Sequence, residues 1–202
     1  EHLRALPAEA QLVYKSKTGR AFATVELRVV GGDGADVPAD EATVGEIRVR
    51  GETVTPGYWN RPAETAAAFE DGWLKTGDLA VIDAEGYVTI VDRAKDMILT
   101  GGENVYSTEV EHVLYAHPSV LEAAVFGVPD ERFGESVRAA VVLRPGCAAD
   151  AAELIAFCRE RLTHYKCPRF VDFLNELPRT GSGKIQKRAL RDPFWVGRAK
   201  QV

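Results

Sequence analysis

Cysteine is scarce in this sequence, and the three present, Cys147, Cys158 and Cys167, are odd in number and form no CxxC pair. That pattern excludes the disulfide framework of small secreted domains and the usual zinc signature, and it points to a reducing cytoplasm. The four histidines, His2, His112, His117 and His164, share no spacing with carboxylates or cysteines. No metal centre is expected from them, and surface or capping roles suffice. Long apolar runs are also missing: no segment approaches the roughly 20 residues of a membrane span. Glu1 to Gln11 lack the basic start, apolar stretch and small-residue cleavage site of a signal peptide. Net positive charge is absent too, with 25 Lys and Arg against 30 Asp and Glu, a formal charge of -5. No whole-protein field is available to hold nucleic acid or an anionic membrane, so any anion site must be local.

What remains is ordinary globular composition. The chain has 202 residues, 46% hydrophobic and 27% charged, enough for one domain or two modest ones. Val25 to Val30 alternates Val25, Leu27 and Val29 with Glu26 and Arg28, the period of a half-buried strand, and Gly45 to Gly51 repeats it. The Gly31, Gly32, Asp33, Gly34 and Pro38 stretch between them reads as a hairpin-like connection. Leu79 to Ile82 and Tyr87 to Val91 are two further short strands, so the first ninety or so residues are expected to be mainly β.

After Arg93 helical spacing appears. Val110, Val113 and Leu114 follow Ser107 and Thr108, either a possible cap, with Thr108 and Glu111 spaced as a capping box. Leu121 to Val128 and Val137 to Leu143 are apolar runs suited to buried strands. Asp150 with Glu153 predicts another capped helix, whose face is Ala151, Leu154, Ile155, Cys158 and Leu162. Arg169 to Leu174 is a final strand, Gly181 to Lys184 a glycine-rich loop, and Gln186 to Leu190 a short basic helix. The fold class is α+β. A domain boundary is expected at the charged stretch Asp92 to Asp96, giving a β-rich region 1–92 and an α+β region 93–202.

Three segments bear on chemistry. Pro178 to Lys184 offers two glycines that let backbone approach a ligand and a terminal cation, which suits an anion. It is not a Walker A loop, since Pro178 and Ile185 occupy positions that motif gives to Gly and Ser or Thr. Taken alone, the segment is better read as a solvated turn with a lysine. Asp78, in Lys75 to Leu79, either terminates a turn or accepts both hydroxyls of a ribose. Arg93, in Asp92 to Asp96, is either a surface charge or a forked donor to sugar or phosphate.

Taken in order, the segments GEIRVRG (Gly45 to Gly51), GYWNRPAET (Gly57 to Thr65), GWLKTGDL (Gly72 to Leu79), GYVTIVDRAKDMILTGGENVYSTEVE (Gly86 to Glu111) and PRTGSGKIQKRAL (Pro178 to Leu190) resemble the adenylate-forming superfamily. That superfamily comprises acyl-CoA synthetases, peptide-synthetase adenylation domains and luciferases, and the wording is nearest the acyl-CoA ligases. The resemblance implies that 1–92 is the distal part of a large AMP-binding domain and 93–202 a small mobile domain. It implies that Asp78 and Arg93 hold the nucleotide ribose, that Lys95 is the hinge, and that Lys184 is the adenylation lysine. Gly101 and Gly102 would leave room for a pantetheine arm. The implied substrates are a fatty or related carboxylic acid, ATP with Mg, and CoA, with acyl-adenylate as intermediate and AMP and pyrophosphate released.

The sequence departs from the family at Ala21, Phe22 and Ala23, where prolines are common, and at Ser107, where many relatives have proline. The family's Ser/Thr/Gly-rich phosphate loop and adenine motif are missing, which predicts a fragment with negligible adenylation alone. The short stretch Asp192 to Val202 after Lys184, with no attached carrier domain, favours a ligase using CoA. Loading of a carrier protein, or a non-catalytic nucleotide- or partner-binding module, are the alternatives. Trp59 and Trp73 are expected to be packing anchors, and Lys184, Lys187, Arg188 and Arg191 a local basic face.

Overall fold

A computed structural model describes residues 2–198 and divides the chain into two compact units, Glu1–Ala94 and Lys95–Val202. The architecture is α+β, as the sequence pattern predicts.

The first unit is built on a five-stranded antiparallel sheet. Its strands are β1 (Val25–Val30), β2 (Gly45–Gly51), β3 (Phe69–Glu70), β4 (Trp73–Ile82) and β5 (Val88–Arg93), in the order β1-β2-β4-β3 with β5 also on β4. Val29, Val30, Ile47, Ala80 and Val88 are buried. Three helices missed by the sequence reading accompany it: α1 (His2–Ala5), α2 (Ala8–Ser16) and α3 (Pro62–Ala68). No residue of α2 or α3 is buried, which is why apolar periodicity did not reveal them. Instead, Tyr14 at the end of α2 donates to Glu85 at 2.5 Å and stacks edge-on to Tyr87. Lys17 just beyond it pairs with Asp83 at 2.6 Å and with Glu41.

The second unit holds a mixed five-stranded sheet. Its strands are β6 (Ile98–Thr100), β7 (Glu103–Val105), β8 (Val120–Asp130), β9 (Gly134–Leu143) and β10 (Phe170–Phe173), with β8 and β10 on either side of β9, antiparallel and parallel respectively. Two helices are interleaved with the strands, α4 (Ser107–Tyr115) between β7 and β8 and α5 (Ala151–Arg159) between β9 and β10, and α6 (Lys187–Arg191) follows β10.

Strands β8 and β9 bury both faces, which explains their near-continuous apolar wording. Ala123, Val125, Val137, Ala139 and Val141 share one core with Val110 and Leu114 of α4 and Leu154 and Cys158 of α5. Ala124, Phe126, Val128, Ala140 and Val142 form a second core on the opposite face with Leu177, against which Ile185 and Leu190 pack. Leu177, Ile185 and Leu190 flank the Lys184 loop, so that loop is seated on the sheet by apolar burial.

Asp150 caps α5 as its spacing predicts, accepting from the Glu153 N–H at 2.8 Å, but the Glu153 carboxylate lies 3.4 Å from His117 Nε2 instead of closing a capping box. The expected cap on α4 is a correction. The helix begins at Ser107 with Tyr106 in the cap position, and neither Ser107 nor Thr108 stands outside it. Ser107 is fully buried and accepts from Lys187 Nζ. His117 is also a correction: it is buried, edge-on to Phe157, and its Nδ1 accepts from the Ser119 N–H. Trp59 is 90% exposed and anchors nothing, whereas Trp73 sits under the guanidinium groups of Arg28 and Arg50.

Candidate functional site

In the first unit the structure brings Asp78 and Arg93 together. They are directly opposite each other on β4 and β5, with Arg93 Nε 3.3 Å from Asp78 Oδ1. Both side chains remain partly exposed, so the pair is open to an incoming polar ligand. The backbone around them is pinned. Gly77 has a φ of 74°, its N–H donates to Glu46 Oε1 at 3.1 Å, and its carbonyl accepts from the Ala94 N–H at 2.8 Å. Thr76 Oγ1 donates to the Ile47 carbonyl and accepts from the Asp78 N–H. The register breaks between Leu79 and Ala80, next to the pair, and a bulge of this kind re-aims the side chains beside it.

The chemical content of this pair is an acceptor-only carboxylate beside a planar five-donor cation. A ribose diol can give two hydrogen bonds to the one while sugar or phosphate oxygens accept from the other. The sequence reading named Asp78 and Arg93 but gave Glu46 and Thr76 no role. Their positions in GEIRVRG and KTGDL were visible, but the contact crosses from β2 to β4 and is not.

In the second unit, Lys184 closes a tight hairpin, not a flexible glycine loop. Arg179 and Ile185 pair antiparallel, and the Thr180 N–H donates to the Lys184 carbonyl at 2.8 Å. The Gly183 N–H donates to the Thr180 carbonyl at 2.9 Å, and Gly183 has a φ of 83°. This is a three-residue hairpin with glycine at the left-handed position. Thr180 Oγ1 accepts from the Lys184 N–H, and Arg179 clamps the turn by donating to the Gly183 carbonyl at 2.7 Å while pairing with Glu122. Among the described residues no protein group pairs with the Lys184 ammonium, which is exposed. A rigid base thus carries one uncommitted cation.

Lys187, three residues on, faces inward: its Nζ is 2.7 Å from Glu111 Oε1 and 2.7 Å from Ser107 Oγ. It belongs to the packing, not to a free basic face with Lys184. Arg188 is exposed and pairs with Asp192 at 2.8 Å. Gly101 and Gly102 form the two-residue turn between β6 and β7, with φ of 60° and 86°. Two consecutive positive φ values select glycine by themselves. A Cβ at Gly101 would stand 3.3 Å from Phe133, and one at Gly102 would meet open space. A cavity of about 390 Å³ lies beside Gly101, lined also by Arg159, His164, Tyr165 and Arg169. Lys95 is exposed, and its carbonyl accepts from Arg191.

Among the described residues no three His, Cys, Asp or Glu side chains gather as metal ligands, and no helix is long and apolar enough to cross a membrane. All three cysteines are free thiols, with Cys158 and Cys167 buried and Cys147 exposed.

Residues 109–184 match the AMP-binding enzyme C-terminal domain. The chain belongs to the adenylate-forming superfamily and is acyl-CoA ligase-like in sequence. It is 44% identical over 187 residues to 4-hydroxybutyrate–CoA ligase 2 of Metallosphaera sedula, covering 93% of this chain and 34% of that protein. It is 43% identical over 184 residues to the fatty acid–[acyl-carrier-protein] ligase ScoC of Streptomyces coeruleorubidus, covering 91% of this chain and 35% of the relative. Among solved structures, ATP-bound MatB from Rhodopseudomonas palustris superposes with a TM-score of 0.83 at 40% identity, over 89% of this chain and 36% of MatB. The chain therefore spans about a third of the length of these relatives.

Proposed function

We propose that this chain supplies the distal nucleotide-binding strands and the small mobile domain of an ATP-dependent acid:CoA ligase, with residues 1–92 in the large AMP-binding domain and 93–202 in the mobile one. The observation that carries the reading is the Asp78–Arg93 cross-strand pair, which stands in the same chain as an exposed, uncommitted Lys184 on a rigid hairpin. Asp78 accepts from the ribose hydroxyls, and Arg93 donates to sugar or phosphate oxygens. Lys184 neutralises charge as the carboxylate attacks the α-phosphate of ATP, which arrives with its Mg. Such phosphoryl chemistry depends mainly on positioning and charge stabilisation, and one ammonium contacting both the carboxylate oxygen and the α-phosphate supplies it.

Lys95 is the hinge in this reading, and the Gly101–Gly102 turn admits the pantetheine arm of CoA. A fatty or related carboxylic acid is the substrate class. The free thiols fit a reducing, cytoplasmic setting. The isolated chain is expected to adenylate negligibly, because it spans a third of its relatives and the rest of the site lies outside it.

The test is kinetic. In the intact ligase containing this chain, Asp78→Ala and Arg93→Ala should each raise KM for ATP by about 10-fold or more, the equivalent of losing a charge-assisted hydrogen bond. Unchanged KM for ATP in both would refute the assignment. A second acceptor is favoured by the likeness to ScoC, a carrier-protein ligase. AMP release that depends on CoA supports the ligase reading, and release that requires a carrier protein replaces it with the second.

A further inference from the structure

The short helix α6 joins the two functional ends of the second unit. Gln186 opens it by donating to the Pro178 carbonyl at 2.7 Å, closing the base of the Lys184 hairpin. At its first residue, Lys187 is fixed by Glu111 and Ser107, and Glu111 in turn accepts from the Val125 N–H at 2.7 Å. At its far end Arg191 reaches back 96 residues, Nη1 donating to the Lys95 carbonyl at 2.8 Å and lying 3.3 Å from Asp96 Oδ1. The Arg191 and Asp96 side chains are only 14% and 16% exposed, so removing one partner leaves a poorly solvated charge and is felt more than breaking a surface ion pair. Leu190, between these anchors, packs in the second core of the sheet.

We propose that Arg191 is a positioning residue for Lys184: it ties the first peptide of the second unit to the helix that carries the lysine hairpin, making hinge and catalytic arm one rigid piece. The carbonyl of Lys95 belongs to the peptide whose neighbouring torsions must change if Lys95 is a hinge. An arginine holding that oxygen fixes where rotation begins. Motion is confined to bonds before the Lys95 carbonyl, and every rotation there is delivered undiminished to Lys184. Both contacts run from Nη1 while Nε lies 3.7 Å from Asp192 Oδ1, and lysine in place of Arg191 keeps the charge but offers one freely rotating ammonium that cannot hold this spread of partners. This inference rests on the hinge and lysine roles proposed above.

The test has two arms. In the 202-residue chain, Arg191→Gln should raise amide hydrogen exchange at Asp96 and Met97 by about 10-fold, with Arg191→Lys intermediate and β8 and β9 amides unchanged, since local opening is reported by exchange. In the intact ligase, the same substitution should lower the rates of both adenylation and thiol transfer with KM for ATP unchanged. The proposal is overturned if exchange at Asp96 and Met97 stays within about twofold of the parent. It is also overturned if exchange rises equally in β8 and β9, or if KM for ATP alone changes. Failure of the ligase reading would leave the exchange result standing, and failure of the tie would leave the Asp78 and Arg93 effects on ATP standing, so the two are distinguishable.

Discussion

The two glycines of the Lys184 hairpin make opposite predictions according to why they are there. If both exist to let backbone approach a ligand, alanine at either should be equally harmful. The structure separates them: Gly183 has a φ of 83°, Gly181 has no positive φ, and a Cβ at either meets nothing within 4 Å. Space being equal, only the backbone term differs. A non-glycine residue in the left-handed region costs about 1–2 kcal/mol, so Gly183→Ala should favour opening of the hairpin by about 5- to 30-fold. Gly181→Ala pays no such cost and reduces the freedom of the unfolded chain, which stabilises by about 0.4–1 kcal/mol at a compatible site. Amide exchange at Thr180 and Gly183, whose N–H groups close the turn, reads this directly. The expected result is faster exchange in Gly183→Ala and equal or slower exchange in Gly181→Ala. Equal acceleration in both, or a larger effect at Gly181, would refute the turn-based account.

Other outcomes follow from buried groups. Lys187 and Glu111 are 16% and 14% exposed, so Lys187→Met leaves a poorly solvated carboxylate and should cost about 3 kcal/mol. Glu111→Gln in the same chain should return at least about 1 kcal/mol of it, and a double-mutant coupling under about 0.5 kcal/mol in urea unfolding would contradict the pairing. Asp130 is held below the usual carboxylate range by the Ser136 hydroxyl, the Phe133 and Arg132 N–H groups and Arg169, against an opposing burial effect. Its contribution is present above the unfolded carboxylate value near 4 and is lost as pH falls through the lower folded value. Asp130→Asn should therefore flatten the acid limb of stability below about pH 4, and an unchanged limb would count against that role. Burial pushes the Cys158 thiol up to about 12 and raises Cys167 as well, so iodoacetamide at neutral pH should label Cys147 alone in the native chain. Rapid labelling of all three would contradict the packing.

Strands were legible because burial imposes a pattern: Val25 to Val30 alternates, and β8 and β9, covered on both faces, run nearly unbroken in apolar residues. The helices α2 and α3 were not, since nothing in them is buried; α2 is held by contacts distant in sequence, such as Tyr14 with Glu85, and α3 makes local polar contacts, such as the Tyr58 N–H on Thr65 Oγ1. The candidate site followed the same division. Asp78, Arg93 and Lys184 stand in local motifs, whereas Glu46, Thr76 and Arg191 act through contacts across β2 and β4 or across 96 residues, and no spacing rule reaches that far. Lys187 was legible as charge but not as burial, because its partners Ser107 and Glu111 lie on another helix.

In the proposed reading Lys184 neutralises charge during adenylation, which leaves it no part in the thiol transfer that follows. Acid-dependent exchange of pyrophosphate into ATP by the intact ligase isolates the first step, and AMP release from supplied acyl-adenylate and thiol isolates the second. Lys184→Gln should lower the exchange by about 100-fold or more while leaving thiol-dependent AMP release within a few-fold of the parent. Exchange that survives the substitution, or loss of both steps together, would contradict the account.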